Sequence, residues 1–255
     1  MQCSVFVRPR ISLRTTEACY VILVMQGQAF DPGERLVAEA GRIYERYARE
    51  VIEAHSFCPW AAEARRDGSV SVTVVLGQQP APDEISALAN ALDKQDKIII
   101  GLMVFPQLDL DALRFQHFAA QVRTQMDANY PRGEVPWAMA DFHPQGVEDL
   151  SSAERAVAFV RRSPDPTLQL VRHSTLSALR RQSDGGTQFI DMAKFDPLES
   201  VSHASRPALH ERVAQNNLRK LGDVAQAVTK TLADIHRDRN LSYARVGLPV
   251  PTWSS

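Results

Sequence analysis

The chain has 255 residues, of which 44% are hydrophobic and 23% are charged, and its formal net charge at pH 7 is -1. A balance this close to neutral excludes a strong electrostatic attraction to nucleic acid or to a membrane surface, and we expect neither as a partner. The three cysteines are widely spaced and form no disulfide framework or zinc-binding pair, which favours a protein of the reducing cytoplasm.

The N-terminal segment combines arginines with a short apolar run from Ala18 to Met25. This pattern mimics a signal peptide, but the run is too short to span a bilayer and no convincing A-x-A cleavage site follows it. We therefore expect residues 1–30 to form a poorly ordered leader or an extra strand. Residues 31–240 are predicted to form a single α/β domain, and residues 241–255 an extended tail.

The first helix is predicted to begin at Asp31, which can cap it, with Pro32 in its first turn. Apolar residues at helical spacing continue this helix to about His55. The pair Cys58-Pro59 then breaks the pattern, and residues 60–66 are predicted to form a short second helix.

From residue 69 onward the chain alternates between strand and helix patterns. Residues 69–76 alternate as a half-buried strand does, and residues 97–105 are almost wholly apolar, as in a central strand. The further predicted elements are strands at 137–142 and 168–171, and helices at 82–92, 109 or 111 to 126, 151–160 and 174–181. This order predicts an α/β or α+β fold, with a three- to four-stranded, largely parallel or mixed sheet packed by helices.

The last part of the chain contains a polar segment and a second long helical pattern. Residues 183–205 are rich in polar and turn residues, which indicates a surface loop or a lid. Helical spacing of apolar residues returns from Pro207 to about Arg237 and predicts a long C-terminal helix.

Cys58 is the first candidate for chemistry. If Pro59 occupies the first turn of the second helix, Cys58 caps that helix, where backbone N–H groups and the helix dipole favour a thiolate. A thiolate is the form of cysteine that attacks electrophiles or binds metal ions. The alternative is an inert cysteine, because free cysteines are among the most buried residues of proteins.

His143 is the second candidate because it directly follows the predicted strand 137–142. Ligand crevices of open α/β sheets lie at the carboxyl ends of strands. The pair Phe105-Pro106 ends the strand 97–105 in the same way, which predicts that both strands end at one edge of the sheet. The alternative is a loop histidine with structural hydrogen bonds.

A proline-stiffened turn is the third candidate. Arg161, Arg162 and Arg172 place three fixed positive charges around residues 163–167. Arginine binds carboxylate or phosphate through two parallel hydrogen bonds, so the turn predicts a pocket for a small anionic substrate. The alternative is a solvated basic loop. The residues assigned to the pocket are Arg162, Ser163, Thr167 and Arg172, together with Trp60.

These three segments, in this order, resemble a bacterial family described as domain of unknown function 1415. The matching motifs are Phe57-Cys58-Pro59, Phe142-His143-Pro144, and Arg162-Ser163-Pro164 with Pro166-Thr167 and Arg172, within a resemblance from about residue 36 to 179. The resemblance implies that Cys58 and His143 form a pair, but it implies no reaction. The chain departs from the family pattern at Trp60, Gly146, Glu148, Arg161 and Gln169. Arg161 and Gln169 replace Asn and His, and if these positions line the pocket, either the ligand differs from that of the family or the chain is a diverged relative.

Three hypotheses about function follow. In the first, the protein is a hydrolase or transferase in which Cys58 is the nucleophile and His143 the general base or acid. In the second, it binds zinc or haem, with Cys58 as a thiolate ligand and His143 or His55 as a further ligand; the aromatic neighbours Phe57 and Trp60 suit a haem thiolate. In the third, it is a non-catalytic accessory or interaction subunit. The sequence leaves all three open.

Overall fold

The computed structural model describes residues 13–15, 18–23, 32–130, 134–177 and 209–248. Its strands form one mixed sheet in the order β1-β2-β3-β4-β6-β5. The strands are β1 (Leu13–Thr15), β2 (Ala18–Leu23), β3 (Val70–Val75), β4 (Ile100–Val104), β5 (Trp137–Phe142) and β6 (Thr167–Arg172). The predicted α/β class and mixed sheet are confirmed, and β1 and β2 extend the sheet beyond the four strands from residue 70 onward.

Side chains cap two of the helices at their N-termini. Asp111 and Ser152 accept hydrogen bonds from the backbone N–H groups of Arg114 and Arg155 at 2.8 and 3.3 Å. The helices are α1 (Pro32–Tyr47), α2 (Ala61–Arg66), α3 (Pro82–Asp93), α4 (Ala112–Ala128), α5 (Ala153–Val160) and α6 (Leu209–Arg245), and residues 173–177 are also helical. Within the described ranges, no helix is long and apolar enough to cross a membrane.

The direction of the strands decides where their ends lie. Strands β2, β3 and β4 are parallel, whereas β6 is antiparallel to both β4 and β5. Strands β4 and β5 therefore run in the same direction and end at the same edge, but they are not adjacent. The sequence pattern does not reveal the insertion of β6 between them, because strand order depends on pairing between distant segments.

The sheet separates two hydrophobic clusters. On one face, α3 and α4 cover side chains that include Met103 and Leu170. On the other face, α1, α5 and α6 cover side chains that include Val72 and Leu102. This division matters for function because adjacent residues of a strand point to opposite faces.

The long C-terminal helix is confirmed but extends to Arg245, so residues 241–245, which were predicted to belong to an extended tail, are helical instead. A buried ion pair attaches α6 to the turn before β6, since Arg239 Nε donates to Asp165 Oδ1 at 2.7 Å and the hydroxyl of Tyr243 donates to Asp165 Oδ2 at 2.6 Å. Arg46 of α1 also pairs with Asp238 of α6 at 2.7 Å. The predicted polar loop at 183–205, the helix beyond residue 177 and the tail beyond residue 248 lie outside the described residues.

Candidate functional site

A cavity of about 930 Å³ lies between one face of the sheet and the helices that cover it. Cavities of this size are typical of sites for small organic molecules. We call it the sheet-face cavity. Its walls come from α1, the segment after α1, α5 and the start of α6. Its floor consists of Val70, Val72, Ile100, Leu102, Ala138, Ala140, Phe142, Gln169 and Val171.

An irregular stretch of chain shapes one wall of this cavity. After α1, residues Ala48–Glu53 continue as a π-helix, a wider form that is rare and is frequent at functional sites. Ser56 then adopts a φ of 50°, a left-handed conformation that is unfavourable for residues other than glycine. Helix α6 holds this turn, because Lys220 Nζ donates to Ser56 O at 2.7 Å and Asn217 Nδ2 to Phe57 O at 3.2 Å. The turn places Cys58 at the cavity.

Cys58 lines the cavity and is partly exposed. The backbone N–H groups of Trp60 and Ala61 contact its sulfur, as expected for a cysteine that precedes a helix. Burial among apolar neighbours outweighs these contacts and raises the pKa of the Cys58 thiol to about 11. The predicted thiolate is therefore not favoured at neutral pH, and the residue is a neutral thiol in the cavity wall.

His143 faces the other side of the sheet. Its ring packs against Phe115 of α4, with the ring centroids 5.7 Å apart, and burial lowers its pKa. Nε2 lies 2.9 Å from the carbonyl oxygen of Leu110, and the backbone N–H of Gln145 donates to Nδ1 at 3.2 Å. The structure therefore does not bring His143 together with Cys58, and the expected pair of nucleophile and base is not assembled. Phe142, one residue earlier, is the residue that lines the cavity.

Arg162 serves the fold instead of an anion pocket. Its guanidinium forms an ion pair with Glu148, donates to Thr229 Oγ1 at 3.2 Å and lies 4.0 Å above the ring of Phe159. A Cβ added to Gly146 would come within 2.6 Å of the Arg162 side chain. Gly146 and Glu148, which depart from the family pattern after the Phe-His-Pro motif, therefore accommodate the side chain of Arg162.

The hydroxyl groups of the turn are also used internally. Ser163 and Thr167 are fully buried, and both donate to the carbonyl oxygen of Asp165, at 2.5 and 2.9 Å. Their predicted role as substrate donors therefore has no support in the geometry, because hydroxyl groups buried in a turn satisfy the backbone of that turn.

Arg172 closes the end of α3. Its guanidinium donates to the carbonyl oxygens of Ile98 and Asp93 at 2.6 and 2.9 Å, pairs with the Asp93 carboxylate at 2.8 Å and stacks on Trp137 at 4.5 Å. A cation near the C-terminus of a helix is stabilised by the helix dipole. The predicted anion pocket of Arg162 and Arg172 is therefore not formed, since each guanidinium already has protein partners.

The remaining predicted residues divide between cavity and surface. Trp60 lines the cavity, and its indole Nε1 is buried without a hydrogen-bond partner. His55 packs against Phe57 with a centroid distance of 5.4 Å and is not among the residues that line the cavity. Among the described side chains, no group of three His, Cys, Asp or Glu residues is arranged to hold a metal ion.

Arg161 is the arginine of the predicted turn that lines the cavity. Its guanidinium lies 5.6 Å above the ring of Phe142, and no hydrogen bond or ion pair joins it to another described residue. Burial lowers its pKa, although the charge of Asp141 acts in the opposite direction. Arg161 was among the predicted charges of the turn, but the pocket was assigned to Arg162. The signal that distinguishes the two arginines is the position of Arg161 as the C-terminal cap of α5, directly after Val160.

The backbone of Arg161 is held by the motifs in which sequence analysis placed the site. The N–H groups of His143 and Ser163 both donate to the Arg161 carbonyl oxygen at 3.0 Å. The hydroxyl of Tyr47 donates to the preceding carbonyl oxygen, that of Val160, at 2.6 Å. His143 and Ser163 thus fix the position of the arginine from outside the cavity.

The family model of Protein of unknown function (DUF1415) matches residues 41–194, which is more than half of the chain. The matched region contains Cys58, His143 and Arg161 and most of the cavity lining. No curated protein and no solved structure matches the chain.

Proposed function

The chain belongs to the DUF1415 family, and from this premise we propose that it binds a small, largely apolar carboxylate in the sheet-face cavity, with Arg161 as the residue that binds the carboxylate. One observation carries the proposal. A half-buried guanidinium lines a cavity of small-molecule size and has no hydrogen-bonding partner among the described residues. A charge that is partly removed from water without a partner is costly, and an anionic ligand removes that cost.

The other charges of the cavity lining support an anionic ligand. Glu53 is paired with Arg65 through two hydrogen bonds of 2.7 and 2.5 Å. Glu45 is paired with Arg49 at 2.5 Å, and Glu154 and Glu211 are exposed residues of the cavity lining. Arg161 is thus the charge that a bound molecule would neutralise. A single planar guanidinium matches a single carboxylate in a bidentate arrangement.

The apolar floor and the aromatic walls support a largely apolar ligand body. The floor is formed mainly by aliphatic side chains, and Tyr44, Phe57 and Trp60 contribute aromatic surface. Burial of apolar ligand area supplies binding free energy, while the arginine selects the charge.

The test uses two fluorescent probes of similar size. The anionic probe is 8-anilinonaphthalene-1-sulfonate, and the uncharged one is N-phenyl-1-naphthylamine. We expect Arg161→Met to weaken binding of the anionic probe about tenfold or more, as a charge-assisted hydrogen bond is lost, and to leave the uncharged probe unaffected. Dodecanoate should displace the anionic probe from the unmodified protein.

Arg155→Met is the matched control. Arg155 lies on α5, the helix that Arg161 directly follows, but it is exposed and pairs with Asp149 outside the cavity. This variant should bind both probes as the unmodified protein does. Equal affinity of the unmodified protein and Arg161→Met for the anionic probe would refute the proposal, and so would an equal loss of affinity for both probes.

Haem is the second candidate ligand, and the location of Cys58 and Arg161 on the same cavity favours it. Haem combines an apolar ring with carboxylates, and cysteine is one of its known axial ligands. Titration with haemin should then produce a Soret band that Cys58→Ala shifts and Arg161→Met weakens. A Soret band that neither variant changes would eliminate haem binding at this cavity.

A further inference from the structure

We infer that Gln169 forms a second, uncharged contact with the ligand, and that the ligand is therefore an amido acid, such as an N-acylated amino acid. The inference rests on the proposed function and deepens it. The ligand would then contain a neutral amide in addition to the carboxylate and the apolar body of the proposed function.

Gln169 is the polar side chain of an otherwise apolar floor. It lies on β6, in register with Leu102 of β4 on one side and Ala140 of β5 on the other. The neighbouring floor residues of the described sheet are aliphatic or aromatic. A polar side chain at the centre of such a surface is unfavourable unless its hydrogen-bonding groups are satisfied.

No hydrogen bond joins the Gln169 amide to another described residue. The residue is half-buried, so the amide is accessible from the cavity. A glutamine amide both donates and accepts, and a secondary amide of a ligand also does both. The two amides can therefore form one or two hydrogen bonds with each other, which a simple hydrocarbon chain cannot do.

The register of the sheet places Gln169 close to the carboxylate site. Gln169 is opposite Ala140 of β5, and Phe142 lies two residues farther along the same strand. The Arg161 guanidinium lies above the ring of Phe142. Two residues of a strand span about 7 Å. The side chains of Gln169 and Arg161 can therefore contact two groups of one ligand that are only a few bonds apart. The amide and the carboxylate of an acylated amino acid are such a pair of groups.

Small side chains leave room for such a ligand above the floor. Ala138 and Ala140 contribute only methyl groups to the part of the cavity floor beside Gln169. The acyl chain would then lie along the aliphatic surface that Val72 and Ile100 of the central strands contribute to the cavity floor.

The experiment compares two acids of equal chain length, N-dodecanoylglycine and pentadecanoate, as competitors of the uncharged probe N-phenyl-1-naphthylamine, whose binding should not depend on Arg161. The measured quantity is the ratio of their inhibition constants, which cancels effects common to both acids. We expect Gln169→Leu to reduce the preference for the amide about fivefold, the effect of one hydrogen bond, whereas Arg161→Met weakens both acids equally. Gln121→Leu is the matched control and should leave the ratio unchanged, because Gln121 is an exposed glutamine of α4, on the other side of the sheet.

Gln169→Met repeats the test with a side chain of similar shape and no amide, and it replaces Gln169→Leu if that variant does not fold. An unchanged ratio in these variants would overturn the inference and leave the proposed function intact. An equal loss of affinity for both acids would also overturn it, because Gln169 would then only shape the cavity. If Arg161→Met weakens neither acid, the proposed function itself fails.

Discussion

Two adjacent arginines at the end of α5 have opposite environments. Arg162 lies in a region where the polar groups are largely paired within the protein, together with Ser163, Asp165 and Arg239. Arg161 lines the cavity without a hydrogen-bonding partner among the described residues. We call the first region the buried turn (residues 162–167 with the part of α6 that contacts them). Charge alone therefore does not identify a binding residue, because Arg162 is already paired with Glu148 within the protein.

Loss of the ion pair in the buried turn should destabilise the protein strongly. Arg239→Met removes the partner of Asp165, and both side chains are 1% exposed, so an unpaired carboxylate would remain in the interior. We expect a loss of about 3–5 kcal/mol in the free energy of unfolding, measured by chemical denaturation. Arg237→Met, on the same helix but at an exposed ion pair, should cost less than about 1 kcal/mol. Similar losses in both variants would contradict the distinction between the two environments.

The second prediction concerns the thiol on the cavity side. Burial raises the pKa of Cys58 to about 11, so the thiolate fraction at neutral pH is roughly a hundredfold below that of an ordinary cysteine. In a Cys3→Ser, Cys19→Ser background, Cys58 should react with iodoacetamide correspondingly slowly. Saturation with 8-anilinonaphthalene-1-sulfonate should slow the reaction further, because the probe and Cys58 share the cavity. The rate is measured by mass spectrometry. A midpoint of its pH dependence below 8 would restore the thiolate hypothesis.

The third prediction concerns pH and the buried turn. Burial and the nearby charge of Arg239 lower the pKa of His236 to about 4, while Asp165 acts in the opposite direction. The unfolded chain binds this proton at about pH 6.5, so stability falls as pH decreases from about 7 toward 4. The expected loss between pH 7.5 and 5 is about 2 kcal/mol.

His236→Gln should flatten this part of the profile of unfolding free energy against pH. His117→Gln, at an exposed position of α4, serves as the control and should leave the profile unchanged. Measurement above pH 5 limits the contribution of carboxylates such as Asp238, whose pKa is lowered mainly by Arg42. If His236→Gln leaves the dependence of unfolding free energy on pH unchanged, the pKa of His236 does not differ between the folded and unfolded protein as predicted.

Much of the fold was predictable because its signals are local. Strand β5 has the predicted bounds, helix α5 ends at the predicted Val160 but begins at Ala153 instead of residue 151, and the apolar run before Phe105 forms the fully buried β4. The cysteine before a helix was also predicted correctly as a position that receives backbone N–H contacts. These features depend on residues within one or two turns of each other, so a sequence contains them directly.

The candidate site was predictable only in part. Sequence analysis identified Cys58 and Trp60, which line the cavity, but it paired Cys58 with His143, which lies on the opposite face. The difference of one residue between Phe142 and His143 reverses the face, because side chains alternate along a strand. A pattern of motifs in order along the chain does not show which face each motif reaches.

Local patterns in the chain were sufficient to predict the class of fold and the stiff turns that follow α5 and β5. Which arginine is paired, which face holds the cavity and whether Cys58 is charged depend on the folded arrangement. Ion pairs and burial join groups that are far apart along the chain, as Asp165 and Arg239 are. The free energy of ionising a side chain depends on the groups that surround it in space, and many of these are distant along the chain.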